Sequence, residues 1–308
     1  MVSISARSPR FSVVLTTYNR QPLLERCLAS LLVQDYPQED YEIIVVDDGS
    51  QDMTASLLTS LAREGRVRYI HQENCGWAVA RNTGVARSRG EIVVFTDDDC
   101  RLPIDWLSKY DAAYKQHPVY DGVAGSLACE PGANLAGRIR YQVHLEMFDL
   151  MNASLGVTHD QAGEVLFCYG ANRSFRRQAL EGTSFDANLL YFDDFDMNLR
   201  LRQEGIRIFY DPSIQVFHNY VLSARDRILA DYRFGQSSVR FARKYPNRPY
   251  LRPKRGSLAR LFNEYRNEPL LDRLSYLAVQ GMCRLAREWG RLQASRRADR
   301  ACTFEEVR

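Results

Sequence analysis

The 308-residue sequence has no run of 18 or more apolar residues, so it offers no ordinary membrane span. It has no G-x-G-x-x-G and no G-x-x-x-x-G-K-[ST], so dinucleotide and P-loop readings lose their main support. Its seven cysteines are an odd number without a C-x-x-C pair. Neither a disulfide framework nor a zinc ribbon fits that pattern, and a reducing cytosol is the expected setting. "MVSISARSPR" leads straight into "FSVVLTTYN" with no basic region followed by an apolar one, so no signal peptide is expected. Repeats and low-complexity runs are also missing.

What is present is ordinary globular composition, 45% hydrophobic and 26% charged, enough for a core without staples. Charge is divided unevenly. Residues 1–222 hold 21 Lys+Arg and 29 Asp+Glu, and residues 223–308 hold 20 and 9, so the net +3 separates into −8 and +11. An acidic body with a basic tail predicts two jobs.

The first half alternates. "FSVVLTT", "YEIIVV", "VRYIH" and "EIVVF" read as strands, and "QPLLERCLASLL", "MTASLLTSLARE" and "WAVARNTGVARSR" read as the helices between them. That spacing predicts parallel βαβ units and an α/β sheet. Ligands of such sheets bind at the carboxyl ends of the strands. Polar residues gather there: Thr16, Thr17, Tyr18 and Asn19, then Asp47 and Asp48, then Asp97, Asp98 and Asp99. From about residue 119 the alternation loosens. "VLFCYGANRSFRR" reads as a strand followed by a turn, "DDFDMNLRLRQEG" as a short helix ended by Gly205, and "IRIFYDPSIQVFHNY" as strands. Past residue 222, "RKYPNRPYLRPKRGS" reads as an extended connection and "EPLLDRLSYLAVQGMCRLAREWGRL" as a helix. Its Leu270, Leu271, Leu274, Leu277, Met282, Leu285, Trp289 and Leu292 lie near one face.

Each motif has two readings. Three aspartates at the end of a buried strand repel one another, so something positive belongs beside them. A divalent cation bound by oxygens would serve; a solvated turn before the helix near Asp105 is the alternative. Asp48 in "VVDDGS" is either turn chemistry or a carboxylate facing a nucleotide. Asp193, Asp194 and Asp196 either cap a helix or supply a general base, whose ionised form the helix dipole favours. His218 is either structural or a metal ligand.

Taken together and in order, "VVLTTYNR", "VVDDGSQD", "NCGWAVARNTGVARSRGEIVVFTDDDC", "YGANRSFRR" and "FDDFDMNLRLRQEG" resemble glycosyltransferase family 2, nucleotide-sugar-dependent enzymes of the GT-A fold. The resemblance covers roughly residues 10–222. It implies a mostly parallel central sheet flanked by helices, with a nucleotide-binding half over about 10–118 and an acceptor half over about 119–222. Residues 223–308 would form a basic, mainly helical extension. It implies that Thr16, Tyr18, Asp48, Arg81 and Asp97 bind the nucleotide sugar, and that Asp98, Asp99 and His218 hold Mg²⁺ or Mn²⁺. Asp194 matches the catalytic base, and Asp193 stands where the family has the Glu of a Glu-Asp pair. The implied reaction inverts the anomeric carbon, with UDP the expected donor nucleotide and a sugar, lipid-linked or small-molecule acceptor. No Q-x-x-R-W follows, so single addition is expected rather than processive synthesis.

Two other functions fit less well. A sugar-1-phosphate nucleotidyltransferase needs a Gly-rich N-terminal loop, and "TTYNRQPLLER" has no glycine. A silent scaffold would have lost its acids, and all are present. The basic tail reads as a membrane-surface anchor, or as a helix packed on the catalytic domain or a second subunit. No nucleic acid is expected, because no recognition motif accompanies the charge. The expected location is cytoplasmic, with peripheral contact at the inner face of the membrane.

Overall fold

The computed structural model describes residues 8–219, 223–246 and 281–295. The chain begins with β1 (Phe11–Thr17), α1 (Gln21–Leu31), β2 (Tyr41–Asp47), α2 (Thr54–Arg63), β3 (Arg68–His71), α3 (Trp77–Arg87) and β4 (Ile92–Asp97). These are the expected alternating units. β1 pairs in parallel with β2 and β4, and β2 with β3. β1, β2 and β4 are buried on both faces, which is why they read as near-continuous Val and Ile runs.

Packing follows the pleat. Phe11, Val13 and Leu15 of β1 share a core with Leu24, Cys27, Leu28 and Leu31 of α1. Each buried leucine of that stripe contributes about 1.5–3 kcal/mol. On the opposite face, Ile44 and Val46 of β2 meet Ala80 of α3. α3 approaches β1 closely at Gly84, where a Cβ would lie 2.4 Å from Val14 Cγ1.

The second half follows with β5 (Cys100–Arg101), α4 (Trp106–Gln116), β6 (Gly122–Cys129), α5 (Leu135–Asn152), β7 (Gly163–Val165), β8 (Asn172–Arg176), α6 (Asp193–Gln203), β9 (Ile208–His218) and α7 (Ala224–Lys244). The nine strands form one sheet in the order β3-β2-β1-β4-β8-β6-β9-β5, with β7 on β9. Most paired positions are parallel; β8 runs antiparallel between β4 and β6, as do β5 and β7 against β9.

One reading needs correction. The strand in "VLFCYGANRSFRR" is not its apolar start but the polar Asn172–Arg176. Its Asn172, Arg173 and Ser174 are fully buried. Among the described residues Arg173 Nε and Nη2 make no hydrogen bond, and its guanidinium lies against the Phe95, Phe175 and Phe185 rings. Asn172 and Ser174 are accepted there by hydrogen bonding. Asn172 shows how. Its Oδ1 accepts from Trp106 Nε1 at 2.9 Å and Tyr110 Oη at 2.8 Å, and its Nδ2 donates to the carbonyls of Ser126 at 2.8 Å and Ile214 at 2.7 Å. The last two bonds hold the point where the β6–β9 register shifts after Gly125. A Cβ at Gly125 would sit 2.0 Å from Ile214 O, so only glycine fits. Helices α5 and α7 are further elements that the loosened alternation did not reveal.

The chain divides into two compact units. The first holds Met1–Glu130, Phe148–Ala187 and Asp194–Asn219; the second holds Pro131–Met147, Asn188–Asp193 and the chain after Asn219. In the second unit, α7 and a helix over 281–295 cross at two glycines. A Cβ at Gly235 would strike Arg287 O, and one at Gly290 would strike Tyr232 O. Asp231 of α7 is buried between Arg227, 3.1 Å away, and Arg287. Met282, Leu285, Trp289 and Leu292 are exposed. The first part of the tail helix read from the sequence, up to residue 280, lies outside the described residues, as does most of the extended connection. Among the described residues no helix is long and apolar enough to cross a membrane.

Candidate active site

The carboxyl ends of β1, β2 and β4 lie side by side, since Thr16 is in register with both Val46 and Asp97. His218 arrives from far along the sequence because β9 ends against β5. Cys100 pairs with His218, and Asn219 N–H donates to Asp99 O at 2.9 Å. The aspartate run and His218 therefore meet.

The three aspartates are held differently. Asp97 is half-buried and its Oδ1 accepts from Arg81 Nη2 at 2.9 Å. The same guanidinium lies over the Phe185 ring, 5.6 Å from its centroid. Asp98 is buried; its Oδ2 accepts from Thr17 Oγ1 at 2.8 Å and its Oδ1 from Arg20 Nη1 at 2.7 Å. Asp99 Oδ2 accepts from Arg20 Nη2 at 2.7 Å. Its other oxygen, Oδ1, is buried without a hydrogen bond and lies 3.4 Å from His218 Nε2.

The positive charge demanded by the sequence is thus present as Arg20, a residue that sequence reasoning missed. Thr17 was seen only as one of several polar residues. The available signal was a cation at the same strand end, in "TTYNR", immediately after β1.

Electrostatics separates the two inner aspartates. Burial pushes Asp98 up to about 7, opposed by Arg20 and assisted by the charge of Asp99. Asp99 is lowered: burial works against its charged form, but His218 and Arg20 together outweigh it.

A divalent ion fits this donor set. The bare, buried Oδ1 of Asp99 faces an imidazole nitrogen, and a buried acceptor left unpaired is costly. Asp99, Cys100 and His218 each offer an atom within 4.8 Å of the others. Among these, carboxylate oxygen and imidazole nitrogen suit Mn²⁺ and oxygen suits Mg²⁺, whereas a thiolate suits softer metals. Both Asp98 oxygens accept hydrogen bonds, and Asp99 Oδ1 is the oxygen of this pair that has none.

Other expected residues are placed as follows. Tyr18 is exposed and Thr16 half-buried. Asp48 is buried and turned to its own neighbourhood. Its Oδ1 accepts from Gln72 Nε2 at 2.7 Å and Cys75 N at 3.0 Å, and its Oδ2 from Gly76 N at 2.8 Å. It therefore fixes the N-terminus of α3, where Gly76 takes φ +87°, and so sets the position of Arg81.

Asp193 and Asp194 open α6. Asp193 is buried and Asp194 half-buried. Phe195 N donates to Asp194 Oδ1 at 2.8 Å, and among the described residues no hydrogen bond reaches Oδ2. Arg173 Nη1 donates to Asp194 O at 3.3 Å and to Asn198 Oδ1 at 3.0 Å. Arg173 lies opposite Phe95 in the β8–β4 ladder, two residues before Asp97. The start of α6 is thereby tied to the acidic strand end. Asp196 is buried and forms an ion pair with Arg200 of its own helix at 2.8 Å.

An α/β sheet with carboxylates and cations gathered at the carboxyl ends of its strands places them where such sheets bind ligands. The comparisons make this specific. The chain belongs to glycosyl transferase family 2, whose model matches residues 12–183, and its fold is GT-A. It is 37% identical over 131 residues to the GalNAc(5)-diNAcBac-PP-undecaprenol beta-1,3-glucosyltransferase of Campylobacter jejuni, covering 42% of this chain and 41% of that protein. The chain spans well under half the length of the curated relatives it matches. Among solved structures it resembles the mannosyltransferase PcManGT of Pyrobaculum calidifontis in complex with GDP-Man and Mn²⁺, with TM-score 0.56 and 23% identity, over 96% of this chain and 75% of that one. It also resembles S. aureus TarS 1–349 in complex with UDP, with TM-score 0.56 and 19% identity, over 90% of this chain and 80% of that one.

Proposed function

We propose that the chain transfers a single sugar from a nucleoside-diphosphate sugar to an acceptor hydroxyl, inverting the anomeric carbon and depending on Mg²⁺ or Mn²⁺. One observation carries the reading: Asp99 Oδ1, buried and without a hydrogen bond, faces His218 at the strand end where Asp97 and Asp98 also lie. Asp99 and His218 are the residues that would hold the ion, with Asp98 behind them. Thr16, Tyr18, Asp48, Asp97 and Arg81 line the donor site, and Asp48 also fixes the helix that carries Arg81. A bound ion supplies Lewis-acid stabilisation to the diphosphate.

Asp194 is the general base. It stands at the start of α6, where the backbone N–H groups of the first turn point. Oδ1 is oriented by Phe195 N, which leaves Oδ2 to take the acceptor's hydroxyl proton. The oxygen so released attacks the anomeric carbon from the face opposite the diphosphate. The bond between that carbon and the diphosphate oxygen breaks, and the nucleoside diphosphate leaves with the electron pair. Asp193 supports Asp194 as its neighbour in the pair.

The Campylobacter relative's undecaprenol-linked name supports a sugar or lipid-linked acceptor in cell-surface glycan synthesis. The exposed Met282, Leu285, Trp289 and Leu292, within a basic tail, support contact with a membrane surface, and a homo-oligomer is the other use for that face. On this reading residues 1–222 form the catalytic part and 223–308 the extension.

Calorimetric titration of UDP, GDP and dTDP, each with and without Mn²⁺, tests the proposal on the wild type and Asp99→Asn. One nucleotide is expected to bind at least tenfold more tightly with Mn²⁺, and the substitution is expected to abolish that gain. A nucleotide that binds equally well without metal would overturn the metal dependence.

A further inference from the structure

Arg20 stands where electrostatics of the helix would not put it. It is the N-cap residue of α1, with φ −138° and ψ 34°, and it makes no side-chain capping bond. A cation at a helix N-terminus is opposed by the dipole. The helix's own first turn has no acidic residue, although Asp52 Oδ2 accepts from Gln21 N at 3.1 Å. What holds Arg20 lies across the strand end: Nη1 on Asp98 Oδ1 and Nη2 on Asp99 Oδ2, both at 2.7 Å. One guanidinium thus bridges two carboxylates of different residues, as a bound cation would.

The exposures are unequal. The Asp98 and Asp99 side chains are 4% and 9% exposed, while that of Arg20 is 37% exposed. The carboxylates cannot leave without unfolding the strand end, but the guanidinium has an open side. Two buried, adjacent carboxylates without a cation would repel strongly.

We infer that Arg20 is the resident counter-cation of this site: it holds Asp98 and Asp99 until a divalent ion arrives, then releases them and turns to the diphosphate. The inference rests on the reading that the acidic cluster takes a divalent ion. Arg20 and the ion compete for the same carboxylate charge, so the pairing lowers metal affinity in the absence of donor. The displaced guanidinium has the fork that suits paired phosphate oxygens. Metal and donor then bind cooperatively, because the group that the metal expels is one that the donor needs. Arg20 is in this sense a donor-binding residue, reached only in the metal-loaded site.

The test uses the full chain, with Mn²⁺ alone and then pyrophosphate as probes. Mn²⁺ binding is measured by electron paramagnetic resonance on wild type, Arg20→Met and Arg20→Lys. Arg20→Met is expected to bind Mn²⁺ about tenfold more tightly than wild type and, at saturating Mn²⁺, to bind pyrophosphate about tenfold more weakly. Arg20→Lys keeps a cation without the fork. It guards against a folding failure of the methionine variant and is expected to fall between the two in both measurements. Equal Mn²⁺ affinity in wild type and folded variants would overturn the inference while leaving the metal site standing. Mn²⁺ binding to none of the three would overturn both.

Discussion

At the scale of single residues, the sequence displayed the acids and concealed their partners. Asp97, Asp98 and Asp99 were legible because three like charges at the end of an apolar run have few structural uses. Arg20 was not, since its pairing with residues 78 and 79 positions away leaves no local trace. Asp48 accepts three hydrogen bonds from Gln72, Cys75 and Gly76 at the start of α3, partners that its residue type alone does not reveal. Asp194 is half-buried, at a helix N-terminus, with one oxygen oriented by Phe195. Asp194→Asn is nearly isosteric and removes only the proton acceptor. Its transfer rate is expected to fall by about 10²–10⁴-fold, with donor affinity within about twofold of wild type. Product formation and nucleotide titration on the same preparation check this. Near-normal transfer would move the base to Asp193.

At the scale of elements, the parallel half was legible from periodicity because its strands are buried on both faces. β8 was not, because its burial rests on hydrogen bonds that no periodicity encodes. Asn172 concentrates this. It satisfies two donors on α4 and two carbonyls at the β6–β9 register shift, so one side chain joins a helix to an irregular ladder. Asn172→Ala leaves Trp106 Nε1, Tyr110 Oη and two carbonyls buried without it. At about 1–3 kcal/mol for each group that stays unpaired, and with some relaxation, a loss of about 3–5 kcal/mol is expected. In a chain of this size that lowers the melting midpoint by roughly 5–8 °C. Differential scanning calorimetry measures it, and an unchanged midpoint would remove Asn172 from this role.

At the scale of the whole molecule, the charge division was visible in composition, but which charges are buried was not, and burial decides the response to pH. Glu42 is buried and lowered: burial raises it, but Ser12, Arg68 and Arg89 outweigh that. Asp231 is lowered in the same sense, its burial outweighed by Arg287 and Arg227. Folded values below the unfolded ones, about 3.9 for Asp and 4.3 for Glu, mean stability that is full above that range and lost as pH falls through the folded values. The metal-free chain is therefore expected to be less stable below about pH 4 than between about pH 5 and 7. Melting midpoints measured across that range check this, and Glu42→Gln, which removes one of the two titrating carboxylates, should flatten the acid limb. An acid limb that Glu42→Gln leaves unchanged would show that the ion pairs of Glu42 with Arg68 and Arg89 contribute nothing to it.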